Sequence, residues 1–329
     1  MPKAKAKGLN ALTILDQTST MQIRYGTHTT TIDITDLVKK TARSGIIYIP
    51  PNDDRRAKLY TDPAFGRRKH VFLHEKNVIR EYDADTSVFI DTTDNQVYTY
   101  AIPFHISELY VDECVEIKLA SLHRSLTLRH GSFRDENPEQ RMAVRFLQGT
   151  EHVLEIGGNI GRNSLIIAHL SKSLVTLESD PGIAKQLEEN RAINGLSFAI
   201  EPAALSLRPL IQRGWDTIVS DELLEGYKWV KTITLAELRQ KYTQPFDTLV
   251  LDCEGAFYYI LNDMPEILDG ITKMIMENDY YNVEHKEFID ATLKASGFTC
   301  IYTESLGPEY AYKKFPFEKN FFETWQKSV

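Results

Sequence analysis

The residues with the clearest chemical meaning lie between positions 153 and 168. An apolar run leads into a glycine-rich turn, and an amphipathic segment follows the turn. The turn contains Gly157, Gly158 and Gly161. This order predicts a buried strand, a turn and a helix, an arrangement that presents backbone N–H groups to nucleotide-like ligands at the edge of an α/β sheet. The segment therefore predicts a site for an adenosine-containing cofactor.

The spacing of the turn residues indicates which cofactor. A dinucleotide-binding turn requires Gly-x-Gly-x-x-Gly, but Asn159 and Arg162 occupy the third and sixth positions counted from Gly157. An acid, Glu155, followed by small residues at alternate positions, including Asn159 and Gly161, suits a ligand without phosphates, such as S-adenosylmethionine. We expect Glu155 to meet the cationic amino-acid end of that cofactor, and the glycines to let the backbone approach it closely.

A second acid follows the next predicted strand. Glu178 directly follows the apolar run Leu174 to Leu177 and lies twenty-one residues after Gly157. A carboxylate in this place can accept hydrogen bonds from both ribose hydroxyls of an adenosine. The alternative interpretation of the segment is an ordinary βαβ unit with a glycine turn and two surface acids, because short motifs also occur by chance.

Acidic residues also follow two later predicted strands. Asp252 and Glu254 follow one strand, and Glu277 and Asp279 follow the other. Open α/β sheets bind ligands beyond the carboxyl ends of their strands, so the catalytic candidates are Asp252, as general base or substrate ligand, and then Glu254 and Glu277. Asp252 together with Glu277 or Asp279 offers oxygen ligands to a divalent cation such as Mg²⁺. Helix capping and solvated acids are the alternative explanation.

Composition limits the classes of protein. The chain has 329 residues, a formal net charge of -8 and three cysteines. The negative charge argues against sequence-independent nucleic-acid binding. An odd number of cysteines without metal-ligand spacing predicts reduced thiols in the cytoplasm. No apolar run approaches the length of a membrane span, and composition leaves the oligomeric state open.

The pattern along the chain predicts three parts. Residues 1–20 are predicted to be a flexible N-terminus, and residues 21–125 a small β-rich module of unassigned role. Within and just after that module, Cys114 to Leu119 and Ser125 to Leu128 are predicted as strands. Residues 126–329 alternate between strand and helix patterns, which predicts a parallel sheet covered on both faces. The last two apolar runs are predicted to add antiparallel strands.

Five segments of the chain share an order and spacing with one known family: Val153 to Ala168, Leu177 to Pro181, Ala203 to Ser206, Thr232 to Leu238 and Asp247 to Ala256. Through these segments the chain resembles the FkbM-type methyltransferases, from about residue 137 to 325. The resemblance implies a class I Rossmann-like domain that uses S-adenosylmethionine to methylate a hydroxyl of a sugar, nucleotide sugar or glycan, with Ala204 at the cofactor. The stretch from Leu128 to Gly161 also resembles versions encoded by large DNA viruses, which implies a host cytoplasm.

The chain departs from the family pattern at two positions that bear on chemistry. Val250 replaces a lysine that often precedes the acidic motif, and Phe257 replaces an acid that follows it. Any role that depends on those side chains is therefore not carried over. Two other functions remain open: a nicotinamide-dependent sugar dehydrogenase or epimerase, and a non-catalytic glycan-binding protein on a methyltransferase fold.

Overall fold

The computed structural model describes residues 21–214, 216–307 and 316–327. The chain divides into two compact units, residues 1–114 and 115–329, and the boundary falls inside the helix Val111–Ser125. The predicted flexible N-terminus, residues 1–20, lies outside the described residues. Among the helices that the structure describes, none has both the length and the apolar character needed to cross a lipid bilayer.

The first unit is built on two antiparallel sheets. One has the strand order β2-β1-β4-β5 and the other the order β3-β6-β7. The elements are β1 (Gln22–Gly26), β2 (Thr31–Asp33), α1 (Thr35–Lys40), β3 (Ile46–Ile49), α2 (Asp53–Tyr60), β4 (His70–Glu75), β5 (Val78–Tyr82), β6 (Val88–Asp91), β7 (Val97–Tyr98) and α3 (Phe104–Ser107). The expectation of a β-rich N-terminal part is confirmed. Arg56 is fully buried in this unit and donates to the carbonyl oxygens of Pro50, Asp83 and Thr86, so its charged group is satisfied by backbone.

The two strands predicted near residue 120 are wrong. Residues Val111–Ser125 form a helix, α4. Val115 and Leu119 are both buried, and Leu122 packs beside them. This three-to-four-residue spacing is the apolar stripe of a helix, whereas a strand would bury alternate residues.

The second unit is an α/β domain. Its elements are α5 (Asn137–Phe146), β8 (His152–Ile156), α6 (Arg162–Leu170), β9 (Ser173–Leu177), α7 (Pro181–Ile193), β10 (Ala199–Glu201), β11 (Ala204–Leu205), β12 (Leu210–Arg213), β13 (Asp216–Val219), β14 (Lys228–Val230), β15 (Thr232–Ile233), α8 (Leu235–Lys241), β16 (Thr248–Leu251), α9 (Phe257–Asp263), β17 (Lys273–Glu277), α10 (Val283–Ala295), β18 (Phe298–Glu304) and β19 (Phe322–Lys327). Two short 3-10 helices, Pro265–Leu268 and Glu318–Asn320, complete the set.

The central sheet has seven strands in the order β10-β9-β8-β16-β17-β19-β18. The first five run parallel, and β19 pairs antiparallel with both of its neighbours. This mostly parallel sheet with an antiparallel C-terminal strand is the predicted fold, which is confirmed. The order reverses between β8 and β16, and ligands of open α/β sheets bind at such a reversal, outside the carboxyl ends of the strands.

The core lies on both faces of this sheet. Leu154, Leu249 and Met274 belong to the apolar cluster on one face, while Val153 and Val250 belong to the cluster on the other. Val250 is 3% exposed, so the position where the family often has a lysine is core in this chain. Alternate residues of one strand thus pack on opposite faces of the sheet. Because both faces are buried, these strands are apolar throughout.

Two small sheets lie between β10 and β16 in the chain. The sequence predicted only a strand from Trp229 to Ile233 in this stretch, where the structure has β14 and β15, and it did not predict the two sheets. β11 pairs parallel with β15, and β12 pairs antiparallel with β13 and β14. Leu210, Gln212 and Ile218 of the three-stranded sheet line the cleft described below. The insertion therefore adds a wall to the site.

Candidate functional site

A cleft of about 1040 Å³ opens at the carboxyl ends of β8, β9, β16 and β17. Carboxylates make up nearly all of its charged lining groups: Asp135, Glu136, Glu139, Glu178, Asp180, Asp252, Glu254, Asp263 and Glu277. Arg208 is the only basic side chain among the described lining residues, and it is paired with Asp263. The cleft therefore favours cationic ligands or metal ions over ligands with several negative charges.

The glycine turn is shaped by contact with the neighbouring strand. Gly157 has φ +96°, and a Cβ atom there would lie 1.5 Å from the carbonyl oxygen of Asp252. The N–H groups of Gly157 and Gly158 donate to the carbonyl oxygen of Leu177 at 3.0 and 2.9 Å. These two N–H groups are thus engaged within the protein, and the glycines are required by close packing of the strand ends. Gly161, with φ +93°, is the N-cap of α6.

The predicted cofactor-binding residues separate into two groups. Gly157, Asn159, Glu178 and Ala204 line the cleft. The other three, Gly158, Gly161 and Glu155, do not line the cleft. The two glycines pack closely against neighbouring side chains, and Glu155 bonds to α6. A Cβ at Gly158 would lie 2.3 Å from the Thr176 hydroxyl, so this glycine is needed for packing between strands.

Glu155 does not meet the cleft, which differs from the expectation that it contacts the cofactor. It is 1% exposed and accepts a hydrogen bond from the Ser164 hydroxyl in α6. Burial raises the pKa of Glu155 to about 7, the Ser164 hydrogen bond opposes this, and the negative charge of Asp252 adds to it. The reason is the strand period: Ile156 faces the cleft, so its neighbour points to the opposite side of the sheet and into α6.

Glu178 lies in the cleft at the end of β9. Its two carboxylate oxygens accept backbone N–H groups from Asn159 and Asp180, each at 2.8 Å. Burial raises the pKa of Glu178, and the two N–H donors oppose that shift. Each oxygen retains a lone pair for a further donor, so the carboxylate is fixed in orientation and able to accept two ligand hydroxyls.

Ala204 forms another part of the wall. Its N–H donates to the carbonyl oxygen of Lys231 at 2.9 Å, which fixes β11 beside β15. Leu177 and Leu205 line the cleft as well.

The three catalytic candidates line the cleft together. The Asp252 N–H donates to the carbonyl oxygen of Ile156 at 3.1 Å, which extends the pairing of β16 with β8. Glu254 follows in the left-handed region with φ +50°, and Glu277 ends β17. A non-glycine residue in this region marks a tight turn that needs support. Gly255 supplies it by donating its N–H to Asp279 Oδ1 at 2.8 Å.

Asp252, Glu277 and Asp279 form a carboxylate cluster that fits a divalent cation. One oxygen from each lies within 4.8 Å of the others. Asp279 is 6% exposed, and its Oδ2 atom is buried without a hydrogen-bond partner. Burial and the charge of Asp252 raise the pKa of both Glu277 and Asp279 well above the ordinary range. Hard oxygen donors at this spacing suit Mg²⁺, which would neutralise the repulsion.

Several cleft residues were not among the predicted site residues, and three of them, Glu136, Tyr259 and Arg208, have contacts that bear on a ligand. Glu136 precedes α5 in a loop to which no chemistry was assigned. Tyr259, 43% exposed in α9, belongs to an apolar run that could stack on a base or sugar, but packing of the helix on its sheet was the preferred interpretation. Arg208 lies in the insertion between β10 and β16, in a part for which no element was predicted. The guanidinium of Arg208 pairs with Asp263 and lies 5.7 Å from the Tyr259 ring centre. The sequence offered one weak signal for them, which is that the aromatic pair Tyr258 and Tyr259 lies shortly after the acids that follow a predicted strand.

Comparison with known proteins gives likeness at the level of structure alone. No protein-family model and no curated protein matches this chain. A ribosomal protein L11 methylase from Lactobacillus delbrueckii subsp. bulgaricus is 14% identical, with 61% of this chain and 82% of that chain covered and a TM-score of 0.40. An rRNA methylase from Streptococcus thermophilus is 10% identical, with 62% and 100% covered and a TM-score of 0.36.

A third similar structure is a protein of the NADB-Rossmann superfamily from Streptococcus agalactiae. It is 13% identical, with 58% of this chain and 68% of that chain covered and a TM-score of 0.38. At these identities and scores, the comparisons do not identify a ligand or reaction for this chain, and the fold rests on its own strand order.

Proposed function

We propose that this chain is an FkbM-type methyltransferase that moves a methyl group from S-adenosylmethionine to a hydroxyl of a sugar, nucleotide sugar or glycan. The observation that carries the proposal is Glu178. Its carboxylate is held by two backbone N–H groups at the edge of the cleft, beside a glycine turn that lacks the dinucleotide spacing. This is the placement that a ribose-binding acid requires.

The charge of the cleft separates the candidate cofactors. S-adenosylmethionine carries a sulfonium and an ammonium group, and both are favoured by the carboxylates of the lining. A nicotinamide dinucleotide carries a pyrophosphate, which needs free N–H groups or cations. Gly157 and Gly158 direct their N–H groups to Leu177 instead, so the dehydrogenase alternative is disfavoured.

The acceptor side of the cleft supports a sugar. Tyr259 offers a partly exposed ring, and the paired Arg208 and Asp263 offer hydrogen-bond donors and acceptors beside it. An aromatic face with a polar rim suits the apolar face and hydroxyls of a pyranose. A nucleic-acid acceptor would bring phosphates against the acidic lining, which is unfavourable.

The chain's residues would serve the reaction in three ways. S-adenosylmethionine supplies a methyl group on a positively charged sulfur, so the O–C bond forms as the C–S bond breaks. Glu178 holds the ribose and thereby fixes where the methyl group lies. Asp252 accepts the hydroxyl proton or holds the hydroxyl in line. Alignment of this kind contributes about 7–11 kcal/mol, and a positioned base typically adds roughly 10²- to 10⁴-fold in rate.

We also propose that the carboxylate cluster of Asp252, Glu277 and Asp279 holds a divalent cation such as Mg²⁺. When bound there, the cation would lower the pKa of the acceptor hydroxyl. Asp279 contributes through its Oδ2 atom, since its Oδ1 atom already accepts the Gly255 N–H.

The experiment is incubation of the full chain with S-adenosylmethionine and a panel of methyl glycosides, nucleotide sugars and a structured RNA, with Mg²⁺ or with a chelator. Product masses report methylation. Methylated glycoside or nucleotide sugar that disappears with Asp252→Asn supports the proposal. The matched control is Asp269→Asn, an exposed acid beyond the 3-10 helix at the opposite end of the sheet, which should retain activity. Methylation of the RNA alone, or of no acceptor, contradicts it.

A further inference from the structure

Glu136 occupies an unusual backbone position at the edge of the cleft. It immediately precedes α5 and has φ +56° and ψ +34°, in the left-handed region. For a residue with a side chain this conformation is strained. Such strain persists only where surrounding contacts enforce it, and it often marks a residue that a ligand needs.

The contacts that enforce it come from the glycine turn and the helix after it. The Asn159 side-chain amide donates to Glu136 Oε1 at 2.8 Å, and Arg162 Nη1 donates to the same oxygen at 2.6 Å. Arg162 also donates through Nε to the carbonyl oxygen of Ser132 at 3.0 Å. The segment 132–136 is thereby attached to the first turn of α6. Because both donors to the Glu136 side chain bind Oε1, the second oxygen is not held by them.

The surroundings of Glu136 are electrically negative. Burial raises the pKa of Glu136 to about 7, and Asp252 adds to that shift, while Arg162 and the Asn159 hydrogen bond oppose it. Glu136, Asn159 and Asp252 all line the cleft. A cationic group of a ligand would relieve this repulsion, and it would gain more here than at an exposed carboxylate because the site is partly removed from water.

We propose that Glu136 binds the ammonium group at the amino-acid end of S-adenosylmethionine, the role that sequence reasoning assigned to Glu155. This inference rests on the proposed function. The two acids differ in access: Glu155 points away from the cleft into α6, whereas Glu136 reaches the cleft over the turn. Glu136 and Glu178 would then lie at the two ends of the cofactor, with Asn159 bonded to both.

The test compares two ligands that differ at the amino-acid end. S-adenosylhomocysteine carries the ammonium group, and 5′-methylthioadenosine lacks the whole amino-acid end. Calorimetry is performed with the wild type and with Glu136→Gln, which keeps an Oε1 acceptor for Asn159 and Arg162 but removes the charge. We expect the variant to bind S-adenosylhomocysteine roughly tenfold or more weakly, since a hydrogen bond to a charged group contributes about 1.5–3 kcal/mol, and to bind 5′-methylthioadenosine within about twofold of the wild type.

The matched control is Glu189→Gln. Glu189 accepts a hydrogen bond from His130 at 2.7 Å and so anchors the chain just before residue 132 without lining the cleft. It should leave both affinities unchanged. Equal weakening of both ligands by Glu136→Gln would show that the residue only holds the loop, and no weakening would also overturn the inference. If the wild type binds neither ligand, the proposed function fails instead.

A structure of the wild type with S-adenosylhomocysteine keeps the inference testable should the variant not fold. An ammonium nitrogen within hydrogen-bond distance of Glu136 supports it. An ammonium that contacts other groups, with Glu136 bonded only to Asn159 and Arg162, contradicts it.

Discussion

Replacing Glu155 with glutamine should stabilise the second unit relative to the wild type, and this gain in the free energy of unfolding should grow as the pH rises. Glu155 is fully buried, and burial raises its pKa from 4.5 to about 7. Between these two values the folded chain retains the proton that the unfolded chain releases. The folded state then binds more protons, so the free energy of unfolding falls as pH rises from about 4.5 to about 7 and is level above that.

The size of the effect follows from the shift. A rise from 4.5 to about 7 corresponds to about 3 kcal/mol of lost stability above pH 7 relative to pH 4.5. Glutamine has the same shape and does not titrate, so Glu155→Gln should gain up to about 3 kcal/mol relative to the wild type on going from pH 4.5 to pH 8. The difference between variant and wild type isolates this residue, because shifts at distant carboxylates affect both proteins alike.

The assay is urea unfolding from about pH 3 to pH 8, followed by tryptophan fluorescence. All three tryptophans lie beyond residue 114, so this signal reports the second unit. Glu151→Gln is the control of opposite sign. Burial alone would raise the pKa of Glu151, but Lys273 and backbone N–H donors hold it below its ordinary value, so this variant should lose more stability above pH 4.5 than below it. A difference between Glu155→Gln and wild type that does not change with pH would refute the reasoning.

Three further predictions concern the cleft. Gly157→Ala should lower the free energy of unfolding by about 3 kcal/mol or more, measured in urea, because the left-handed φ and the contact with the Asp252 carbonyl oxygen both oppose a Cβ; a neutral effect would contradict the packing described. Glu178→Gln should lower the affinity for S-adenosylhomocysteine roughly tenfold or more, measured by calorimetry, because a charged hydrogen-bond acceptor is lost. The control is Glu188→Gln at an exposed acid, and unchanged affinity in Glu178→Gln would contradict the assignment of Glu178 to the ribose. Asp279→Asn should raise roughly tenfold or more the Mg²⁺ concentration that gives half-maximal activity, because ligand charge sets cation affinity; activity indifferent to chelator would end the metal proposal.

The central sheet was predictable because its signals are local. Apolar runs such as Thr248 to Leu251 are bounded by turns, and the alternation with helices implies parallel pairing. The capping box at Thr234 and Glu237 was also visible in the sequence and is present in the structure. Each depends on residues a few positions apart, so no tertiary information was needed.

The side of the sheet that Glu155 faces was not predictable in the same way. A strand that is apolar on both faces gives no alternation from which to decide which residue points to the ligand. The tertiary contacts decide it: Ile156 lines the cleft, whereas Glu155 accepts a hydrogen bond from Ser164 in α6.

Glu136 was missed for a different reason. Asn137, Pro138 and Gln140 resemble a helix start, which predicts Asn137 as the cap. The helix instead begins at Asn137, and the buried Gln140 donates to the carbonyl oxygens of Phe133 and Asp135, so the loop folds back over the turn. A contact between residues 136 and 159 is long-range in sequence, and spacing alone does not reveal it.

The proposed function depends most directly on Glu178 and the cleft binding the adenosine of a methyl donor. Calorimetric titration of the wild type with S-adenosylhomocysteine and with its 2′-deoxy analogue tests this in one measurement. We predict saturable binding of the first at a single site, and affinity for the analogue lower by roughly tenfold, because one hydroxyl of the pair no longer meets the carboxylate. No binding of either compound, or equal affinity for both, would contradict the proposed function.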